Sequence, residues 1–262
     1  MTKVLLVGCG KMGSALLSGW LDRGLAPDDV VVVDPSLPGL AVPVVAGEAQ
    51  IPAGFAPDVV VLAVKPQVMA EVLPPYRRFG DAVFLSIAAG KPVAFFHAVL
   101  GPDIAMVRAM PNTPAAVRRG ITVCFADAGV APERRALCGS LLDAVGDVGW
   151  IEDEALMDAV TAVSGSGPAY VFLLAEAMAE AGIAQGLPAD LATRLARATV
   201  AGAGELIRQS VEASAQLRIN VTSPGGTTAA ALAVLMADDT GVPALMTRAV
   251  AAATRRGKEL AG

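Results

Sequence analysis

The sequence predicts an α/β protein in which an N-terminal doubly wound sheet is followed by an all-helical C-terminal domain. Three observations predict it. From Val4 to Ile151, apolar runs of strand length alternate with segments of helical spacing. The first of these runs breaks into a glycine loop that opens a helix. From Glu152 onward no strand pattern remains, only long Ala- and Leu-rich segments of helical period. The domains are therefore placed at 1–151 and 152–262.

The first unit is the most informative. Val4–Val7 leads into Gly8-Cys9-Gly10-Lys11-Met12-Gly13 and then the helical Ser14–Leu21, which is G-x-G-x-x-G with a strand before it and a helix after it. In a Rossmann-type domain Gly8 permits the tight turn, Gly10 lets the backbone approach a pyrophosphate, and Gly13 lets helix and strand pack closely. The diphosphate sits at the helix N-terminus, where free N–H groups and the helix dipole favour an anion. A second run, Val30–Val33, ends in Asp34, 21 positions beyond Gly13, the spacing of a ribose-binding acid. Residues Gly8, Cys9, Gly10, Lys11, Met12, Gly13 and Asp34 are thus assigned to a dinucleotide.

Pro35–Pro57 reads as loop with a minor strand around Val42–Val45. Asp58–Lys65 is a buried-type strand followed by helical spacing over Gln67–Tyr76. Ala82–Ile87 is the next strand, then the turn Ala88–Pro92, a helix near 93–100 and the strand Ile104–Ala109. Right-handed crossovers put every strand's C-terminal end on one edge. That gathers Gly8–Gly13, Ala63–Gln67, Ser86–Gly90 and Ala109–Pro114 around the cofactor. Ile121–Phe125, a helix near 132–144 and Val148–Ile151 complete the first domain. Helices then follow over about 153–163, 166–185, 188–209, 213–220, 225–236 and 242–260.

Composition narrows the function. The chain is 54% hydrophobic and 17% charged, an apolar excess that fits either a sheet buried on both faces or helices buried against another subunit. A net charge of −5 offers no basic stripe for nucleic acid. No uninterrupted apolar run approaches the ~18 residues of a membrane span, and the chain passes straight into its first strand without a signal peptide. Cys9, Cys124 and Cys138 form no C-x-x-C, which suits reduced thiols in the cytoplasm. With one histidine and no cysteine cluster no metal site is expected. His97 has no nucleophile motif near it and reads as an orphan helix histidine.

Three further loops carry chemistry. Met110-Pro111-Asn112-Thr113-Pro114-Ala115 follows the strand where a nicotinamide would lie. Ser164-Gly165-Ser166-Gly167-Pro168-Ala169-Tyr170 and Thr222-Ser223-Pro224-Gly225-Gly226-Thr227-Thr228 each bring hydroxyls and N–H groups to a helix N-terminus, suited either to a small carboxylate or to plain helix capping. With Ala63-Val64-Lys65-Pro66-Gln67, Ser86-Ile87-Ala88-Ala89-Gly90 and Arg108–Ala115, these stretches resemble the 1-pyrroline-5-carboxylate reductase family over essentially the whole chain.

The resemblance implies reduction of the C=N bond of 1-pyrroline-5-carboxylate to L-proline, the last step of proline synthesis. It implies NADPH as cofactor, with NADH as the alternative. It also implies a homodimer with interlaced helical domains, often assembled into a decamer, in which the Ser-Pro-Gly-Gly-Thr-Thr loop lies near the partner's nicotinamide. By resemblance Ser223 and the Gly225, Gly226, Thr227 and Thr228 backbone bind the substrate carboxylate, and Thr228 sits at the ring nitrogen, either donating the proton or orienting the ring. Asn112 and Pro114 flank the nicotinamide, with Ala88 near it; Ala63, Val64 and Lys65 line the cofactor.

The chemistry agrees with the residues present. A cyclic imine is readily protonated, and the iminium accepts hydride without a strong base, so orientation and electrostatic complementarity suffice. Lys65 reads as a strand-end lysine near cofactor ribose or phosphate rather than a catalyst. Glu176 and Glu180 read as a solvated or interface face, Arg118-Arg119 as surface, and Trp20 and Trp150 as core or interface. A 3-hydroxyacid dehydrogenase would need a lysine in the helical domain, and no lysine lies between Lys91 and Lys258. The remaining rivals are a reductase of another imine and a non-catalytic dinucleotide sensor. Asp34-Pro35-Ser36 departs from NADPH-preferring sequences: the acid suits a 2′-hydroxyl and Ser36 a phosphate, so use of both cofactors is expected.

Overall fold

The computed structural model describes residues 2–37 and 39–261, the last without its side chain; Met1, Pro38 and Gly262 lie outside the described residues. The chain forms two compact units, Met1–Gly165 with Ala253–Gly262, and Ser166–Ala252.

The first unit is built on strands β1 (Val4–Val7), β2 (Val30–Val33), β3 (Val44–Val45), β4 (Val59–Leu62), β5 (Val83–Ser86), β6 (Ala105–Met110), β7 (Gly120–Ala126) and β8 (Gly146–Ile151). They make one sheet in the order β3-β2-β1-β4-β5-β6-β7-β8. The helices between them are α1 (Lys11–Asp22), the short α2 (Met69–Val72), α3 (Val93–Leu100) and α4 (Pro132–Leu142). Every residue of β1, β2, β4 and β5 is buried. Alternation along the strands sends Val4, Leu6, Val30, Val32, Val59 and Val61 to one face, against Leu16, Leu17 and Trp20 of α1. Leu5, Val7, Val31, Val33, Val60 and Leu62 go to the other, against Phe96 and Leu100 of α3. A parallel sheet covered on both faces needs such continuous apolar strands, which is why they read as unbroken runs.

Two details differ from the sequence reading. The helical spacing over Gln67–Tyr76 yields only α2, flanked by 3₁₀ turns at Pro66–Val68 and Pro74–Phe79, because Pro74 and Pro75 lack the N–H groups a continuing helix would use. The single-edge rule holds for β1, β2, β4, β5 and β6, whereas β7 runs antiparallel to β6 and β8 is parallel to β7. The connection from Met110 to Gly120 contains only a 3₁₀ turn at Thr113–Val117, too short for the crossover that a parallel neighbour requires.

After β8 come α5 (Met157–Val160) and a π-helical turn at Thr161–Gly165. The second unit carries α6 (Gly167–Ala184), α7 (Ala189–Gln209), α8 (Ser214–Asn220) and α9 (Thr227–Leu235). Helix α10 (Val242–Ala261) begins in this unit, and its last turns are counted with the first. Helices α6 and α7 form an antiparallel-type pair joined at Gln185–Pro188, where Gly186 takes φ 93. Among the described residues no helix is long and apolar enough to cross a membrane.

Candidate dinucleotide site and helix-head loop

The strand order reverses at β1, so a crevice opens outside the C-terminal ends of β1 and β4, the place where open α/β sheets bind ligands. The glycine loop fills it as the pattern requires. Gly8 has φ 91, and a Cβ there would stand 2.9 Å from the Ala63 carbonyl carbon. A Cβ on Gly13 would stand 2.5 Å from the Gly8 oxygen, so the start of α1 is packed directly onto the loop. Gly10 faces open space, with nothing within 4 Å of where its Cβ would be. It is also the N-cap of α1 and supplies no side-chain cap. The loop therefore leaves a helix head without a side-chain cap beside open space at Gly10, which fits a dinucleotide diphosphate.

Asp34 closes the outer end of this loop. Its Oδ2 accepts the Cys9 N–H at 2.8 Å, and its Oδ1 accepts the Ser36 N–H at 2.9 Å and the Ser36 hydroxyl at 2.6 Å. Burial works to raise the Asp34 pKa, but the Ser36 hydroxyl and the two N–H groups outweigh it and hold the carboxyl below its usual range. Burial, and then the Asp34 charge, push the half-buried Cys9 thiol up, so it stays protonated.

Lys65 caps the 3₁₀ turn after β4 through its backbone, with no side-chain cap bond. Ala63 and Val64 are the atoms against which Gly8 packs. The buried Ala88 donates its N–H to Ser86 Oγ at 3.2 Å, which shapes the turn after β5. Asn112 follows β6, and its amide is used on both sides: Oδ1 accepts the Ile121 N–H at 3.0 Å, and Nδ2 donates to Ser164 Oγ at 3.2 Å. That side chain ties the Pro111–Arg119 connection to the π-helical turn, a helix form often found at functional sites. Pro114 occupies the 3₁₀ turn beside it.

Arg108 and Glu154 were not singled out by the sequence reading. Arg108, 5% exposed on β6, donates to Glu154 Oε1 at 3.0 Å. The same oxygen accepts the Val93 N–H at 2.8 Å, the first amide of α3. One carboxylate thus joins β6, α3 and the segment entering α5. The partners lie 46 and 61 positions apart, so no local motif announces them. His97 is likewise no orphan: Nε2 is 2.7 Å from Asp127 Oδ2 and Nδ1 is 3.2 Å from the Gly101 oxygen. The turn of β7 back along β6 supplies that aspartate. Trp20 is core, donating to the Leu141 carbonyl at 2.8 Å. Arg118 is exposed and pairs with Asp22.

In the second unit, Ser223, Gly225, Gly226, Thr227 and Thr228 form the head of α9. Gly225 has φ 68, and Gly226 is the N-cap and donates to the Ser223 carbonyl at 3.1 Å. No side chain caps this helix either. Ser223 and Thr227 are exposed and Thr228 is half-buried. Glu176 and Glu180 of α6 are exposed.

Comparison with known proteins places a different family model on each end of the chain. A family model described as pyrroline-5-carboxylate reductase dimerisation matches residues 154–260, and one described as NADP oxidoreductase, coenzyme F420-dependent, matches residues 3–90. A pyrroline-5-carboxylate reductase of Pseudomonas aeruginosa is 42% identical, over 99% of this chain and 97% of its own. The structure of one from Coxiella burnetii superposes with TM-score 0.92 at 34% identity, covering 99% of this chain and 98% of that one. The Plasmodium falciparum enzyme, solved with NADP bound, gives TM-score 0.84 at 28% identity, over 100% and 98%.

Proposed function

The chain belongs to the pyrroline-5-carboxylate reductase family, and we propose from that premise which of its residues perform the family's reaction. The enzyme reduces the C=N bond of 1-pyrroline-5-carboxylate with NAD(P)H, giving L-proline in the final step of proline synthesis.

The observation that carries the assignment of the substrate site is the uncapped head of α9. Ser223 offers a hydroxyl and Thr227 and Thr228 offer N–H groups with the positive end of the helix dipole behind them, while the Gly226 N–H, given to the Ser223 carbonyl, closes the turn; together they make a cradle for a small carboxylate. Gly225 at φ 68 turns the chain into the helix head, in a conformation that costs glycine little. Thr228 stands one residue inside the helix and is assigned to the ring nitrogen. Its hydroxyl either passes the proton or holds the ring in plane.

When bound, the reduced dinucleotide supplies the hydride. Around it, Gly8, Cys9, Gly10, Lys11, Met12 and Gly13 hold the diphosphate and Asp34 the ribose. Ala63, Val64, Lys65, Ala88, Asn112 and Pro114 border the path to the nicotinamide. Asn112 acts through position, since both ends of its amide are already engaged. The functional division is kept at 1–151 and 152–262, where β8 ends.

The dimerisation model over 154–260 implies an oligomer. A homodimer with interlaced helical domains, able to build a decamer, is the assembly we propose, in the cytoplasm. The test is oxidation of NADH and NADPH by the purified enzyme with 1-pyrroline-5-carboxylate. Thr228→Ala is expected to lower kcat about 100-fold while dinucleotide binding is kept. An unchanged kcat in this variant removes Thr228 from the chemistry.

A further inference from the structure

The donors around Asp34 bear on which dinucleotide the enzyme takes. A ribose 2′-phosphate is bound by amide N–H groups, hydroxyls and cations at the end of the second strand. Here three donors at that place, the N–H of Cys9 and the N–H and hydroxyl of Ser36, are directed onto the Asp34 carboxylate. A carboxylate offers about four acceptor positions; three are used, and the fourth, on Oδ2, is left for one further donor such as a ribose hydroxyl. Along the chain, no lysine or arginine lies between Arg23 and Lys65. Lys65 stands at the end of β4, on the far side of β1 from β2.

We infer that Asp34 makes this reductase selective for NADH, because its carboxylate occupies from within the place a 2′-phosphate would take and presents its remaining lone pair to the 2′-hydroxyl. The same hydrogen bonds hold the carboxyl below its usual pKa, so the anion is present throughout the neutral range. A phosphate brought to this point meets a like charge and finds its natural donors already spent. The preference departs from the NADPH implied by the family resemblance and from the NADP found in the Plasmodium relative. Ser36 on this account serves the aspartate and does not receive phosphate.

The inference rests on the dinucleotide reading of the glycine loop, and binding without turnover separates the two. ADP-ribose and 2′-phospho-ADP-ribose are titrated calorimetrically into the purified enzyme, and kcat/KM is measured in parallel with NADH and NADPH. The wild type is expected to bind ADP-ribose about 10-fold or more tightly than its 2′-phosphate, the size of a like-charge penalty at a partly exposed site. In Asp34→Ser the ratio should fall by at least about 10-fold, chiefly through tighter binding of the phosphate. Ser36→Ala should leave ADP-ribose the better ligand. Equal or tighter binding of the 2′-phosphate by the wild type overturns the inference and leaves the dinucleotide site standing. Failure of both ligands to bind overturns the dinucleotide reading itself. The wild-type ratio decides the matter even where Asp34→Ser does not fold.

Discussion

The sheet unit and the helical unit spend their apolar residues differently. In the sheet, β1, β2, β4 and β5 are buried along their whole length, and the largest buried side chains, Tyr76, Phe84 and Phe96 among them, all lie in that unit. In the helical unit α6 has no buried residue at all, though it reads Val171-Phe172-Leu173-Leu174, and Phe172 and Leu173 are 62% and 63% exposed. Only Ala192 and Ala196 of α7 are buried. Apolar surface on this scale marks an interaction site. The sheet unit completes its own core, whereas the helical unit leaves these apolar side chains open, as suits the oligomer that its dimerisation family model implies. In the dimer proposed above, the stability of the helical unit depends on assembly.

The largest effect expected from this contrast is on α6. Phe172→Asp should weaken self-association about 100-fold or more, as for a central interface residue, and abolish turnover because the helical unit no longer holds together. Sedimentation velocity and the assay read the two effects. Phe84→Ala, in the sheet core, should cost about 3–5 kcal/mol through the cavity it leaves, yet keep the oligomer at temperatures where the fold survives. If Phe172→Asp remains fully assembled and active, the contrast between the units fails.

The next effect tests the glycine loop. In Gly13→Ala the new Cβ would meet the Gly8 oxygen at 2.5 Å, and neither backbone can yield cheaply. A loss of about 1–3 kcal/mol in stability is expected, with at least a tenfold loss in ADP-ribose affinity, since a shift of about 1 Å in the loop misplaces its donors. Gly10→Ala has room around it in the protein alone, so it should spare stability and lose only binding. Thermal unfolding with and without ADP-ribose distinguishes the two substitutions.

The same comparison explains what was legible in the sequence. The glycine loop, Asp34 and the head of α9 were readable because each is a local matter: a strand end, a helix start and the few residues between. The parallel strands were readable because burial on both faces leaves an unbroken apolar run. The reversal of β7 was not, since Ile121–Phe125 carries the same apolar signal in either direction and only the short connection before it decides. Nor were the Glu154 and Asp127 contacts, whose partners the topology chooses across 30 to 61 positions. Polar groups paired at such range leave no spacing to read.

Glu154 gives the third and smaller test. Arg108 is nearly buried and Glu154 only partly so, with a side chain 27% exposed. Glu154→Gln keeps the shape and an acceptor for the Val93 N–H but removes the charge opposite Arg108. A cost of about 1–3 kcal/mol is expected, below that of a fully buried pair because water reaches Glu154. As this pair ties β6 to α3 and so brackets the Ala88 turn, KM for the dinucleotide should rise more than kcat falls. Equal loss in both would assign the pair to stability alone.

The smallest effect concerns pH, and its sign follows from Asp34. Its carboxyl is held below the ordinary carboxylate value near 3.9, so the folded state binds its proton less readily than the unfolded chain. The stability this contributes is complete above the unfolded value and is lost as pH falls through the folded one. Asp34→Asn removes it, and at pH 7 the variant should melt lower than the wild type. On acidification below about pH 4 the wild type loses the same contribution and the two melting curves should converge. Divergence instead would mean that the bonds to Cys9 and Ser36 do not favour the ionised form. The sheet unit would then hold Asp34 by its packing, and the charge that is to exclude a 2′-phosphate would have no stabilised anion behind it.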